Sequence, residues 1–284
     1  MSNIAESLEN AATILNAAEI ADPRREASSL LCFAIGKDRT FLIAHPEYKL
    51  QAHEPGLFDS IVKRRAHREP FHHITGIKEF FGLDFQVSPD VLIPRPETEM
   101  LVAKSIEVLG EKTLPVFCEV GIGSGCIAIS VLYHLLTASA VGLDISEAAI
   151  NIARRNADHY QVLDRLQLLP SDVFSGLPSE RFDLIVSNPP YIPFENIANL
   201  QREVRDFEPR LALTDGGNGL SMIERIVQRS PDFLKPCGSL VLEIGINQAG
   251  DVKEMFDTEI WAEVQILPDF QGIPRMVCAV TALR

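Results

Sequence analysis

In this chain of 284 amino acids, the four residues best suited to chemistry are Asn188-Pro189-Pro190-Tyr191. They follow the apolar run Asp183-Leu184-Ile185-Val186-Ser187, which predicts a strand. They therefore stand at a strand's carboxyl end, where open α/β sheets bind ligands. Two successive prolines remove two backbone donors and stiffen the loop. What remains is the Asn188 amide oxygen and the backbone carbonyl of Pro189, both acceptors, whereas a planar NH2 group presents two donors. The segment fits a planar nitrogen held edge-on, with the face of Tyr191 against the substrate plane. An amide nitrogen is a poor nucleophile because its lone pair is delocalised into the carbonyl. Two acceptors holding both N–H bonds aim that nitrogen at an electrophilic methyl. The N–H groups become more acidic as attack proceeds, so these bonds strengthen in the transition state, and near-attack positioning adds to the effect. The scheme needs no metal and no strong general base. The bland alternative is a Pro-Pro turn capped by Asn.

Upstream, Glu119-Val120-Gly121-Ile122-Gly123-Ser124-Gly125 joins a predicted strand to a predicted helix. Glycines at alternate positions let the backbone turn sharply and approach a ligand closely. The pattern also suits nicotinamide dinucleotides, whose fingerprint is Gly-x-Gly-x-x-Gly. Here the third glycine falls one residue early and Glu119 precedes the loop. Both features favour a cofactor with an amino-acid end and no pyrophosphate. Asp144 closes Val141-Gly142-Leu143-Asp144, ahead of Ile145. An acidic residue there can take both hydroxyls of a ribose; its other reading is an N-cap for the helix entered after Ser146. Asp172, in Ser171-Asp172-Val173-Phe174, is either a partner for an adenine amino group or a turn residue.

The elements that must position these groups alternate in type. Strands are predicted over 116–120, 140–143, 166–169, 183–187, 239–244, 264–267 and 276–280. Helices are predicted over 127–136, 147–159, 220–230 and 252–256. Repeated β-α units imply a mostly parallel sheet with helices on both faces. Before them, Ile4, Leu8, Ala11, Ala12, Leu15 and Ala18 fall at helical spacing, and Asp22-Pro23 resembles an N-cap with Pro at the first helical position. A further helix over 55–67 leads into Lys63, Arg64, Arg65, His67 and Arg68, the densest basic cluster. It is either a solvated face or a docking surface for an acidic partner or RNA. An apolar, partly alternating run from Phe80 to Val87, the turn signal Ser88-Pro89-Asp90, and Val91-Leu92-Ile93 predict a β-hairpin between two domains.

Composition narrows the class. Hydrophobic residues at 46% and charged residues at 23% suit a globular chain with a sizeable core. No apolar run is long enough to span a membrane. Met1 to Asn10 carries Glu6 and Glu9 without Lys or Arg, unlike a secretory signal or transit peptide. A cytoplasmic location is expected. The five cysteines are odd in number and scattered, so neither a disulfide framework nor a zinc site is predicted, and buried thiols are the favoured reading. A net charge of −13 argues against a phosphate-backbone substrate and suits a basic protein partner.

Asn188 to Tyr191 resemble the motif of class I methyltransferases that modify planar nitrogens, a group that includes DNA adenine, RNA guanine and protein glutamine methyltransferases. Val91-Leu92-Ile93-Pro94-Arg95-Pro96-Glu97-Thr98-Glu99 resembles the signature of the release factor glutamine methyltransferases, the HemK/PrmC family. Ribosomal-protein glutamine methyltransferases are similar up to Pro94-Arg95 and then diverge. Phe71 to Gly76, Phe182 to Ile192, Phe207 to Leu213, and Glu243-Ile244-Gly245 with Gln248 are also similar to that family.

The resemblance spans nearly the whole chain. It implies an α/β class I S-adenosylmethionine methyltransferase, Rossmann-like, with a mostly parallel seven-stranded sheet over 96–284. It further implies a small all-α substrate-docking domain over 1–75 and a β-hairpin linker over 76–95. S-adenosylmethionine, leaving as S-adenosylhomocysteine, would be bound by Glu119, Gly121, Ile122, Gly123, Ser124, Gly125, Asp144, Ile145, Asp172, Val173 and Asn188. Some relatives carry an aromatic residue in place of Val173. The substrate glutamine would be held by Asn188, Pro189, Pro190 and Tyr191, with Arg95, Pro96, Glu97 and Thr98 shaping the pocket or ordering the hairpin. The implied partner is a class I peptide chain release factor, methylated by a monomer without direct nucleic-acid contact. The rivals are methylation of a ribosomal-protein glutamine, adenine-N6 methylation of DNA, and a silent binding module that keeps the fold. The DNA reading wants a Lys- and Arg-lined groove, whereas 26 basic residues face 39 acidic ones.

Overall fold

The computed structural model describes residues 2–177 and 181–283. Met1–Gly76 with Gln201–Phe207 form one compact unit, and Ile77–Leu200 with Glu208–Arg284 form another. The first holds helices α1 (Ile4–Ala17), α2 (Pro23–Ile35), α3 (Arg39–Ala44), α4 (Glu54–Ala66) and α5 (Phe71–Thr75). Asn3 and Glu6 make a reciprocal capping box on α1. Leu15, Leu30, Leu31 and Ile61 meet in the core of this unit. Pro23 opens α2 as predicted. Asp22, however, has φ 49° and makes no side-chain cap bond, so proline's fixed backbone, not a carboxylate, starts the helix.

The basic cluster at the end of α4 is divided: Lys63, Arg64 and His67 are exposed, Arg65 is buried and Arg68 is half-buried. Arg65 is buried; it donates to Glu26 at 2.7 Å and to Glu203 at 3.1 Å. Arg68 donates to the same Glu203 carboxylate at 3.2 Å. Arg64 pairs with Glu69. The reading as a solvated face describes Lys63, Arg64 and His67; neither reading describes Arg65 and Arg68. Arg65 and Arg68, through Glu203, tie the returning segment Gln201–Phe207 into the helical unit.

The second unit opens with β1 (Ile77–Phe80) and β2 (Leu83–Gln86), an antiparallel pair. Its turn is Phe81-Gly82, with both φ positive (53° and 76°), the backbone of a type I′ hairpin turn. The predicted turn at Ser88-Pro89-Asp90 is formed, with Val91 N donating to Ser88 O at 3.2 Å, but no strand follows at 91–93, so this turn does not close the hairpin. The turn is held from both sides. Glu79 accepts from Gly82 N at 2.7 Å, and Glu99 accepts from Phe81 N at 3.0 Å.

After α6 (Glu99–Gly110) strands and helices alternate. The order is β3 (Val116–Val120), α7 (Cys126–His134), β4 (Ser139–Asp144), α8 (Glu147–His159), β5 (Leu166–Pro170) and β6 (Phe182–Ser187). Then come α9 (Arg202–Phe207), α10 (Arg210–Leu213), α11 (Ser221–Arg229), β7 (Leu234–Glu243), α12 (Ala249–Glu254), β8 (Trp261–Pro268) and β9 (Pro274–Thr281).

The seven strands run in the order β5-β4-β3-β6-β7-β9-β8. β3 to β7 pair in parallel and β9 is antiparallel to both its neighbours. The central strands are buried on both faces, which is why 183–187 reads as a continuous apolar run rather than an alternation. Strand order reverses between β3 and β6, and at such a switch point the connections leave to opposite sides and open a crevice. The Gly-rich loop leaves β3 at this crevice, and Asn188 leaves β6 beside it. Ser187 donates to Val120 O at 2.6 Å and locks the two exits together.

Candidate active site

A cavity of about 440 Å³ occupies this crevice. Its floor is the loop after β3. Gly121, Gly123 and Gly125 have φ of 75°, 53° and 81°, the left-handed backbone that favours glycine. Gly121 N and Ile122 N both donate to Leu143 O, pinning the loop to the end of β4. A Cβ at Gly121 or Gly123 would meet nothing within 4 Å, so the backbone faces open space. Gly125 differs: a Cβ there would strike Ile129 at 2.6 Å, so its role is close packing of α7.

Asp144 ties the floor to β4. One carboxylate oxygen accepts from Gly123 N and the other from Ser146 N, each at 2.9 Å. The helix cap read for Asp144 belongs to Ser146, whose hydroxyl accepts from Ala149 N. Burial raises the Asp144 carboxyl above its usual range, against the pull of these N–H groups. Glu119 is buried and accepts from Ala128 N in the first turn of α7 at 2.7 Å. Burial pushes it well above the usual carboxylate range.

Asn156, also buried, completes the support. Its amide donates to Ser124 O at 2.8 Å and exchanges bonds with the Gln86 backbone, joining loop, α8 and hairpin.

The far wall carries Asp172, Val173 and Ile145. Asp172 takes part in a turn through Ser175 N and pairs with Arg225 of α11 at 2.8 Å. Val173 has φ 54°, an unusual conformation for a β-branched residue. Such strain persists where the surroundings hold it; here Ser171 donates to Val173 O at 2.9 Å.

Of the Asn-Pro-Pro-Tyr segment, Asn188, Pro189 and Pro190 line the cavity and Tyr191 does not. Tyr191 packs on the core of the sheet and donates its hydroxyl to Glu243 at 3.0 Å. Burial, with the Glu243 charge beside it, raises the phenol. Gln248 donates to Tyr191 O at 2.9 Å while accepting from Gly245 N at 2.7 Å, and so fixes the loop's backbone.

The signature after the hairpin divides similarly. Arg95 and Thr98 line the cavity; Pro96 and Glu97 do not. Arg95 is paired with the buried Glu208, which also accepts from Ile93 N at 3.2 Å. Thr98 is buried and lies between Asn188 and Glu243, at 3.0 and 2.7 Å.

Glu208, Glu243 and Gln248 fall in segments singled out by sequence, but their roles were not readable. Ser187 was read only as part of a strand and Arg225 only as part of a helix. Among the described residues no three His, Cys, Asp or Glu side chains are grouped to hold a metal ion. No helix there is long and apolar enough to cross a membrane.

S-adenosylmethionine is tested against this cavity by charge and by shape. Glu119 and Asp144 are two carboxyls raised by burial in one wall, and the arginines that line it, Arg95 and Arg225, are already paired. Such a site favours a ligand with positive charge, and a sulfonium with an ammonium group supplies it. The glycine backbone leaves the room. The residues present fit the group.

Comparison with known proteins agrees with this geometry. Residues 6–76 match the PrmC N-terminal domain and residues 100–204 the methyltransferase small domain. A release factor glutamine methyltransferase of Koribacter versatilis is 38% identical, covering 96% of each chain. One of Geobacter sulfurreducens is 40% identical, covering 91% of this chain and 89% of its own. Among solved structures, the 16S rRNA N2 G1207 methyltransferase of Thermus thermophilus, in complex with AdoMet and guanosine, shares the fold. Its TM-score is 0.53 at 20% identity, over 72% of this chain and 49% of the other.

Proposed function

Because this chain belongs to the family of S-adenosylmethionine-dependent release factor glutamine methyltransferases, we propose that it methylates N5 of the glutamine in the Gly-Gly-Gln motif of class I peptide chain release factors. The observation that carries the reading is Asn188. It stands at the carboxyl end of β6 on the cavity wall, with its amide nitrogen engaged by Thr98 and its oxygen left as an acceptor.

The bound cofactor supplies an electrophilic methyl on a positively charged sulfur. Asn188 Oδ1 and the Pro189 carbonyl take the two N–H bonds of the glutamine amide. Holding both orients the nitrogen lone pair, and the bonds tighten as the N–H groups gain acidity. Asp144 takes the ribose hydroxyls, the backbone at Gly121 and Gly123 receives the amino-acid end, and Asp172 with Val173 borders the adenine. Arg95, kept straight by Glu208, flanks the entry of the substrate loop. Residues 1–75 dock the protein substrate, residues 76–95 link, and residues 96–284 catalyse. The enzyme works as a cytoplasmic monomer on a protein, not a nucleic acid, in keeping with its charge of −13.

The test is methyl transfer from labelled S-adenosylmethionine to a purified class I release factor, with the same factor carrying Gln→Ala in the Gly-Gly-Gln loop as control. Label on the first and none on the second is expected. Label on both, or on neither while the cofactor still binds, refutes the assignment.

A further inference from the structure

The hydrogen bonds behind Asn188 have a direction. Glu243, the last residue of β7, is buried at 2% exposure. Its two oxygens face two hydroxyl donors, Thr98 Oγ1 at 2.7 Å and Tyr191 Oη at 3.0 Å. A threonine hydroxyl carries one proton. With that proton given to the Glu243 carboxylate, Thr98 Oγ1 has only lone pairs left to offer. Asn188 meets it at 3.0 Å and can bond only through Nδ2. A carboxamide whose nitrogen edge is turned to Thr98 must turn its oxygen edge the other way. In the reversed orientation, two oxygens that both need a proton would face each other. An NH2 group would then confront the donors of an incoming NH2.

We infer that Glu243 and Thr98 are positioning residues that set the Asn188 carboxamide, so that Oδ1 rather than Nδ2 meets the substrate nitrogen. The inference rests on the reading of Asn188 as the acceptor for that nitrogen. Burial raises the Glu243 carboxyl, and the Thr98 and Tyr191 hydroxyls with Arg275 pull it back. The geometry carries the relay: each Glu243 oxygen faces one hydroxyl donor, which is what an accepting carboxylate requires.

Thr98 stands 90 positions from Asn188 in sequence, and Glu243 stands 145 positions from Thr98. No short motif contains the device. Tyr191, outside the cavity, gains a role as the second donor that keeps Glu243 an acceptor on both sides.

The experiment compares Thr98→Val, which keeps shape and removes the hydroxyl, with Thr98→Ser, which keeps the hydroxyl. Glu243→Gln and Glu243→Gln with Tyr191→Phe complete the set. Methyl transfer to a purified class I release factor is measured beside calorimetric binding of S-adenosylhomocysteine. Thr98→Val is expected to lower kcat on the order of 10²-fold, with the cofactor Kd within twofold of wild type, and Thr98→Ser to recover most of the loss. Glu243→Gln offers one acceptor and one donor to two hydroxyls, so one hydroxyl must reverse, and kcat falls. Adding Tyr191→Phe removes the competing donor, lets the glutamine oxygen turn to Thr98, and raises kcat above that of Glu243→Gln alone.

A readout independent of substrate is the Asn188 side-chain NH2 pair in 15N-labelled protein, assigned by its loss in Asn188→Asp. Solvent exchange of that pair is expected to quicken at least tenfold in Thr98→Val and not in Thr98→Ser. A Thr98→Val enzyme with wild-type kcat and unchanged exchange overturns the inference, as does equal loss in Thr98→Ser. A wild-type enzyme that labels no release factor refutes the proposed substrate instead, and the exchange measurement then decides the positioning role.

Discussion

Replacing Gly219 with alanine isolates the placement of the Asn-Pro-Pro-Tyr loop from everything else in the site. Gly219 has φ 80°, and a Cβ built on it falls 2.1 Å from Tyr191 O and 2.7 Å from Tyr191 C. These are backbone atoms, so no side chain can swing aside. Restoring ordinary contact moves the Tyr191 carbonyl by about 1 Å. That carbonyl accepts from Gln248, which also bonds Gly219 O at 3.3 Å, so one shift disturbs both anchors. The left-handed φ adds about 1 kcal/mol of strain, and the weakened hydrogen bond about another. A displacement of about 1 Å at a positioning group lowers the rate on the order of 10²-fold, or about 2.7 kcal/mol of barrier. Gly216→Ala is the control. Gly216 has φ 81° but nothing within 4 Å of a built Cβ, so it carries the strain without the collision. Steady-state methyl transfer is the assay, with cofactor binding measured separately. Gly219→Ala is expected to lose about 10²-fold in kcat at near-normal cofactor affinity, and Gly216→Ala to lose stability alone. Equal kcat in the two variants would refute the claim that Gly219 is required for close approach to Tyr191.

Other sites give sharper tests of cofactor affinity and stability. In Gly142→Ala the new Cβ meets Ile122 Cδ1 at 2.1 Å; Ile122 lines the cavity, so the Kd for S-adenosylhomocysteine should rise roughly tenfold, about 1.4 kcal/mol. An unchanged Kd in calorimetry would mean that Ile122 relaxes away from the ligand. Glu203→Gln removes the carboxylate shared by Arg65 and Arg68, whose guanidiniums are mostly buried, and should destabilise the helical unit by about 2 kcal/mol. An unmoved denaturation midpoint would contradict this. Asp183 carries a linked pH dependence. Burial pushes its carboxyl up, but Lys235, Val116 N–H and Lys112 hold it below its usual range. A folded pKa below the unfolded value of about 3.9 means the stabilisation is complete above that value. It is lost as pH falls through the folded pKa. The stability gap between wild type and Asp183→Asn should therefore be constant near neutrality and close below about pH 4. A gap that persists at pH 2 would show that the charge is not its source.

Where sequence reasoning succeeded, the signal was local. α8 is capped by Ser146 within its own first turn, and β6 is a continuous apolar run buried along its length. Positions such as these announce themselves in a short window. α6, α9 and α10 were not foreseen, and each fails for a physical reason. α9 and α10 are too short for a helical period to show. α6 begins through a 3-10 turn at Pro96–Thr98 with no side-chain cap at its start. The hairpin was placed too late because Ser88-Pro89-Asp90 is a stronger turn signal than Phe81-Gly82. The true turn needs a non-glycine residue at φ 53°, held by Glu79 and Glu99.

The site was legible in its outline and not in its wiring. Gly121, Asp144 and Asn188 each follow a parallel strand, and the fold brings strand ends together at a switch point without further instruction. Their orientation is another matter. Arg95 faces the cavity because Glu208 holds it, and Asn188 is oriented through Thr98 by Glu243. Both anchors are buried carboxyls more than 50 residues from Asn188 or Arg95. A buried carboxyl is costly unless donors surround it, so each marks a place where the fold has assembled several donors at once. Tyr191 shows the consequence. Read by residue type, it is an aromatic beside Asn-Pro-Pro; read by its partners, it is also one of the two hydroxyls that donate to Glu243. Residue type identifies which groups can react, but only the donors gathered around a buried charge show which way those groups are turned.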